Sequence, residues 1–189
     1  MGRVSQAQAQ KNRKRIVDTA SRLFREQGTH VSVADLMKAA GLTHGGFYKQ
    51  FASKEALIDE ATAHAFGDLA ERQAAALEGG AGEPGAARKA LVDTYLSVEH
   101  RDNAADGCPV AGLAADMARD AGDREAHRVY AEGVEVFAAW LAGDDAEGGE
   151  GLARLCTMIG ALTLARATKD FPVSEKTLAA ARTALTATD

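Results

Sequence analysis

The chain has 189 residues, 46% of them hydrophobic and only three of them proline, which suits one medium domain, or a small module joined to a larger one, around a well-buried core. Its formal charge of −5 divides unevenly: residues 1–54 hold ten Lys and Arg against three Asp and Glu, and the remainder hold twelve against twenty-four. No apolar run approaches the ~18 residues of a bilayer span. The polar, basic opening MGRVSQAQAQKNRKR is not a secretory signal. Two cysteines are too few for a disulfide scaffold, so the chain is expected in the cytoplasm, without contact to a membrane.

A basic N-terminal third on an acidic body points to a local polyanion site or, more simply, to a solvated basic tail. Alanine and leucine dominate the long stretches, and runs of Val, Ile, Thr and aromatics are scarce. Helix is therefore favoured over strand throughout.

In chain order, Lys11 to Gln27 carries Ile16, Ala20, Leu23, Phe24 and Gln27 at helical spacing and is closed by Gly28. Ser32 is a natural N-cap for a short helix with Val33, Leu36, Met37 and Ala40 inward, closed by Gly41 at a position that calls for positive φ. Thr43 caps the next helix, whose Phe47 and Phe51 are spaced to bury against the first two. Ser53-Lys54-Glu55-Ala56 opens a long helix that runs to Leu77. The stretch GGAGEPG at 79–85 is a flexible loop, without the Gly-Lys-Ser/Thr ending of a phosphate-cradling loop.

Ala86 to Val98 forms the next helix, followed by a polar turn over 99–107. Pro109 starts a helix through Val110, Leu113 and Met117. Arg124 to Ala142 is another. The acidic, glycine-rich stretch at 143–151 breaks the chain before two last helices, Leu152 to Lys169 and Ser174 to Thr186. The sum is an all-α protein of nine helices.

Two helical patterns meeting at Gly41, with a Gly-, His-, Tyr- and Lys-rich segment after them, make a helix-turn-helix: one helix braces and the second enters the DNA major groove. Thr43-His44-Gly45-Gly46-Phe47-Tyr48, then Phe51, Ser53-Lys54-Glu55 and Leu57, resembles the signature of TetR-type transcriptional repressors. Gly28 and the stretch from Val31 to Gly41 fit that pattern as well. Beyond residue 60 the likeness is architectural.

The resemblance implies a nine-helix TetR-like architecture. Residues 1–54 would form a three-helix DNA-binding domain with a basic arm at 1–15. Residues 55–189 would form a ligand-sensing and dimerisation domain. It further implies a repressor, a homodimer on a palindromic double-stranded operator, released when a small molecule of unknown identity enters the C-terminal domain. No cofactor is expected.

Roles follow for individual residues. Tyr48 and Lys54 resemble the family's phosphate-contacting pair. Ser32 is a cap and a candidate phosphate ligand, because helix N-termini attract anions. Thr43 and Gln50 are weaker phosphate candidates, and Lys49 is a phosphate contact or a solvated side chain. His44, with Gly45 and Gly46 beside it, reads bases, or else is an exposed turn histidine. The arm from Arg3 to Arg15 is expected along the DNA backbone or in a minor groove.

For the sensor, Phe66, Leu69, Leu91, Tyr95, Cys108, Val110, Leu113, Met117, Val134 and Phe137 are the candidate cavity residues, each equally readable as plain core. Few charges fall among them, which favours an apolar or aromatic ligand. Ile159, Leu162, Leu178, Ala181 and Leu185 are the candidate dimer seam, in a four-helix bundle with their twins.

Cys108 precedes Pro109 at an expected helix start, where the dipole favours thiolate. A redox- or electrophile-sensing repressor is the alternative function, and a small residue filling a helix start is the plain one. Glu60, His64 and Asp68 share a helical face but read as a solvated acidic stripe, with no metal expected. The absence of a Ser-His-Asp, Cys-x-x-Cys or nucleotide motif argues against an enzyme.

Overall fold

The computed structural model describes residues 6–79, 84–120, 122, 124–142 and 149–187. Among them are nine α-helices, one 3-10 helix and no strand. The expected breaks at 79–85 and 143–151 fall largely at residues 80–83 and 143–148, outside the described residues.

Helix α1 (Gln6–Gln27) turns Ile16, Ala20 and Phe24 inward. It stops at Gly28, whose φ of +89° suits glycine alone. Ser32 caps α2 (Val33–Ala39). Its Oγ accepts from the Asp35 N–H at 3.1 Å and donates to the Asp35 carboxylate at 2.6 Å. Gly41, at φ +64°, ends that helix, and the Leu42 N–H reaches back to the Met37 carbonyl at 2.8 Å, a left-handed termination. A 3-10 segment (His44–Lys49) follows. Ser53 then caps α3 (Lys54–Gly79), its Oγ accepting from the Ala56 N–H at 3.2 Å. The remaining helices are α4 (Pro84–Tyr95), α5 (Val98–Asp102), α6 (Pro109–Arg119), α7 (Glu125–Ala142), α8 (Glu150–Ala167) and α9 (Pro172–Thr186).

Two expectations are corrected here. The segment expected as a basic arm is helical from Gln6 onward, so residues 6–15 are the first turns of α1; residues 1–5, with Arg3, lie outside the described residues. The turn expected at 99–107 begins with a helix, α5, which raises the expected nine helical segments to ten among the described residues. The Ser97 hydroxyl accepts from the His100 N–H at 3.1 Å, stopping α4 at Tyr95 and starting α5.

Two apolar clusters hold the helices. One gathers Ile16, Phe24, Leu36, Met37, Phe47, Phe51 and Leu57 with Leu113 and Met117 of α6 and Ala126 of α7. The other joins Leu69, Tyr95, Leu96, Val110, Phe137, Leu155 and Met158 with α9. Each fully buried Leu or Phe contributes about 1.5–3 kcal/mol, and α6 feeds both clusters.

Helix α6 also lies hard against α1. A Cβ built on Gly112 would stand 3.1 Å from the Arg25 backbone, so a larger residue would need the two helices to give by a few tenths of an ångström. The Thr29 hydroxyl donates to Asp116 at 3.0 Å, and Arg22 pairs with Asp106. Between α3 and α7, Asp59 accepts from the Ala126 N–H at 3.1 Å, a carboxylate at a helix N-terminus.

Helix α5 is stitched to the C-terminal pair. Arg166 donates to the carbonyls of Arg101 (3.1 Å) and His100 (3.0 Å). Arg101 donates to Ser174 Oγ at 2.9 Å, which donates onward to the Ala165 carbonyl at 2.7 Å.

The expected dimer seam is also corrected. Leu162, Leu178 and Leu185 are buried within the chain itself and have no surface to offer a partner, while Ile159 and Ala181 pack half-buried against the same cluster. The apolar side chains that do face outward are Leu152 and Leu164 on α8, and Phe171 and Val173 at the start of α9. Among the described residues no helix is long and apolar enough to cross a membrane.

Candidate nucleic-acid interface and adjoining cavity

The segment after Gly41 is a six-residue 3-10 helix, not the nine-residue α-helix its spacing suggests. Two successive glycines cost roughly 1 kcal/mol each in an α-helix, and i→i+3 bonds take over: Gly46 N–H to Thr43 O at 2.9 Å, and Gln50 N–H to Phe47 O at 2.8 Å. Thr43 stands at the N-cap position, yet its hydroxyl makes no cap bond.

Phe47 (0% exposed) and Phe51 (3%) stack at 5.5 Å and root the segment in the core. That anchoring turns Thr43, His44, Gly45, Tyr48 and Lys49 outward, with Gly46, Gln50 and Lys54 half-exposed. The Tyr48 ring is 66% exposed; it stands edge-on to Phe47 at 5.2 Å and lies 6.1 Å from His44. A side chain on Gly45 would meet nothing within 4 Å, so nothing inside the chain demands glycine there. Ser32 is exposed, its hydroxyl engaged by Asp35. Hydroxyl, imidazole and ammonium donors on a short rigid segment are the groups that engage phosphates and base edges.

Arg13 has a role that charge counting does not reveal. Its guanidinium donates to the Gln50 carbonyl, pairs with Glu60 of α3 and lies 4.2 Å over the Phe51 ring. It is a strut tying the tail of the 3-10 segment to α1 and α3. The sequence signal for it was only a cation facing an aromatic and a carboxylate across distant elements. Arg25, unlike the half-exposed Arg13, is buried (6% exposed), and that burial lowers its pKa. Glu60 thus serves Arg13, while His64 lies 3.0 Å from Asp18 and 3.6 Å from Asp68. Among the described residues no group of three or more His, Cys, Asp or Glu is arranged to hold a metal.

On the far side of α6 lies a cavity of about 310 Å³, near the lower end of the ~300–1,000 Å³ typical of small-molecule sites. Of the ten candidates, Leu69, Leu91, Tyr95, Cys108 and Phe137 line it, together with Gln73, His100 and Trp140, which were not among the candidates. Phe66 borders a second hollow of about 190 Å³ that shares Leu69 and Gln73. Val110, Leu113 and Met117 are core, and Val134 packs half-buried on the second cluster.

The imidazole of His100 is fixed by its neighbours. Its Nε2 accepts from the Cys108 N–H at 3.1 Å, so Nδ1 carries the proton that faces the Tyr95 carbonyl at 2.7 Å. Burial lowers its pKa and keeps it neutral. The thiolate expectation for Cys108 is overturned by the same burial. The residue does cap α6, but only 5% of it is exposed, and desolvation raises the thiol pKa despite the neighbouring Tyr95 hydroxyl and helix-start N–H groups. Burial also pushes the Tyr95 phenol well above its ordinary value.

A short helix, a glycine turn and an exposed reading segment on a shared apolar core define a helix-turn-helix module carried by an all-helical body. Residues 16–61 match the family model described as bacterial regulatory proteins, tetR family. The chain is 41% identical over 61 residues to the HTH-type transcriptional regulator AcrR of Shigella flexneri, an overlap covering 32% of this chain and 28% of that one. In fold it is similar to the reduced form of E. coli NemR, with a TM-score of 0.74 and 18% identity over 93% of this chain and 95% of that chain. A TetR-family regulator from Cytophaga hutchinsonii gives 0.72 and 20% over 98% of both chains. Residues 16–61 thus carry a tetR-type helix-turn-helix module, and the chain as a whole shares the fold of those solved regulators.

Proposed function

We propose that the protein is a cytoplasmic transcriptional repressor that binds a palindromic operator as a homodimer and lets go when a small molecule fills the cavity beside α6. Residues 1–54 form the reading head, and residues 55–189 the sensing and dimerising body. The observation that carries this reading is the rigidly rooted, outward-facing 3-10 segment. Tyr48 and Lys54 hold phosphates, aided by Ser32, Thr43, Lys49 and Gln50, while His44 and the bare Gly45-Gly46 backbone meet base edges. Two heads are needed because one buries too little DNA for site specificity. The outward apolar residues Leu152, Leu164, Phe171 and Val173 supply the seam between copies.

Fluorescence titration of random and genomic duplexes at varied salt tests the head. Tyr48→Phe and Lys54→Ala weaken binding to every duplex, and Lys54→Ala lowers the salt slope by about one. His44→Ala changes the ranking of sites. Unchanged affinity and slope in both Tyr48 and Lys54 variants would sink the docking reading. Sedimentation of Leu164→Asp, expected to run as a monomer, tests the seam.

A thiol signal through Cys108 is the second reading, favoured by its position in the cavity wall. Its raised pKa makes it the weaker of the two. Equal operator release by peroxide in wild type and Cys108→Ser removes it.

A further inference from the structure

Resting on the effector reading above, we propose that the cavity takes an uncharged, flat aromatic molecule carrying a carbonyl-type hydrogen-bond acceptor. Its walls are the rings of Tyr95, Phe137 and Trp140 with Leu69 and Leu91, and about 310 Å³ admits a molecule near two fused rings in size. Aromatic walls favour offset or edge-on contact with a flat ring.

Polar atoms set into those walls define the rest. Gln73 (6% exposed) and Tyr95 (5% exposed) both line the cavity. The Gln73 amide nitrogen and the Tyr95 hydroxyl are buried without a hydrogen-bond partner, and so is the Trp140 indole nitrogen. The polar neighbour of the Tyr95 hydroxyl is the Cys108 thiol, a weak acceptor that a guest carbonyl would outcompete. An indole N–H and an amide NH₂ only donate. Three stranded donors around one apolar space call for a guest that accepts, and a plain hydrocarbon leaves them unmet.

The cavity also disfavours charge. His100 is held as the neutral tautomer, and the Cys108 thiol and Tyr95 phenol stay protonated. Arg72 and Glu99 are exposed at the rim, and Arg72 spends its Nη1 on the Asp106 carbonyl at 2.9 Å. The charged side chains of the lining, Arg72, Glu99 and Asp106, are mixed in sign and open to solvent, so they compensate an entering ion poorly for its lost hydration.

Trp140 is the chain's one tryptophan and lines the site, so its fluorescence reports occupancy directly. The full-length protein is titrated, by calorimetry and by Trp140 emission, with 2-acetylnaphthalene, 2-ethylnaphthalene and 2-naphthoate. The ketone is expected to bind at least about tenfold tighter than either analogue. Tyr95→Phe and Gln73→Met each cut its affinity about three- to tenfold, the size of one neutral hydrogen bond, and leave the hydrocarbon's unchanged. A hydrocarbon or naphthoate that matches the ketone overturns the proposal, as does a ketone preference that survives both substitutions. The wild-type ranking decides alone if a variant fails to fold.

Operator binding in the same samples separates the two readings. A ketone that occupies the cavity without releasing DNA refutes the effector role and supports the cavity's chemistry. All three probes failing to bind a protein that still holds DNA overturns the chemistry.

Discussion

Replacing Arg13 with alanine separates two meanings of a basic residue beside a DNA-reading segment. In the structure Arg13 touches Gln50, Glu60 and Phe51. The side chains of Arg13 and Glu60 are 39% and 41% exposed, so solvent screens their pairing to about 0.2–1 kcal/mol. A half-exposed cation over the buried Phe51 ring adds about 0.5–1 kcal/mol, and a half-exposed bond to the Gln50 carbonyl about 1 kcal/mol. The loss is about 2 kcal/mol, which lowers Tm by about 4–8 °C in a chain of this length. Thermal unfolding and salt-dependent DNA titration are measured together. Affinity is expected to fall, because the tail of the reading segment loses its tie, while the salt slope stays as in wild type. An unchanged Tm with a slope reduced by about one would mean that Arg13 grips phosphate, and would refute the strut.

Other perturbations address the body of the protein. A Cβ on Gly133 would stand 2.2 Å from the Phe66 ring; Gly133→Ala should cost about 1–3 kcal/mol in chemical denaturation, and adding Phe66→Leu should recover much of it. At neutral pH, iodoacetamide should label the exposed Cys156 about tenfold or more faster than the buried Cys108, with parity in denaturant, read by mass spectrometry. The Arg101 guanidinium and Lys169 lower the Asp102 carboxyl from 3.8 to about 2. Its contribution is therefore complete above about pH 4 and is lost as pH falls through 2; Asp102→Asn should flatten the acid limb of the stability curve between those values.

Caps and turns were legible because they are local. Ser32, Ser53, Gly28 and Gly41 each act on backbone within a few residues, and the structure has each one terminating or starting a helix. Phe47 and Phe51 were equally plain, since no other element could hide two aromatics one turn apart. Long-range partners were not readable. The ties of Arg13 cross 37 and 47 residues of sequence. Helical spacing showed that Leu162, Leu178 and Leu185 face something apolar, but one stripe looks the same whether it meets its own chain or a second copy. The α5 turn was hidden because Leu96 and Val98 continue the apolar rhythm of α4, and only the Ser97 cap breaks it. Around the cavity, five of the sixteen lining residues were among the candidates, and Gln73, His100 and Trp140, whose polar atoms give the space its chemistry, were not.

Helix α6 is eleven residues long, and its N-cap, Cys108, closes the cavity. Four residues on, Gly112 packs on the Arg25 backbone, where a methyl group would fit only with a small shift. With so close an approach, the position of α6 bears directly on that of α1. The same α1 carries Phe24 into the head's core and reaches the end of the reading segment through Arg13. A single missing side chain thus lets the helix that starts at the cavity wall lie directly against the helix that supports the reading segment.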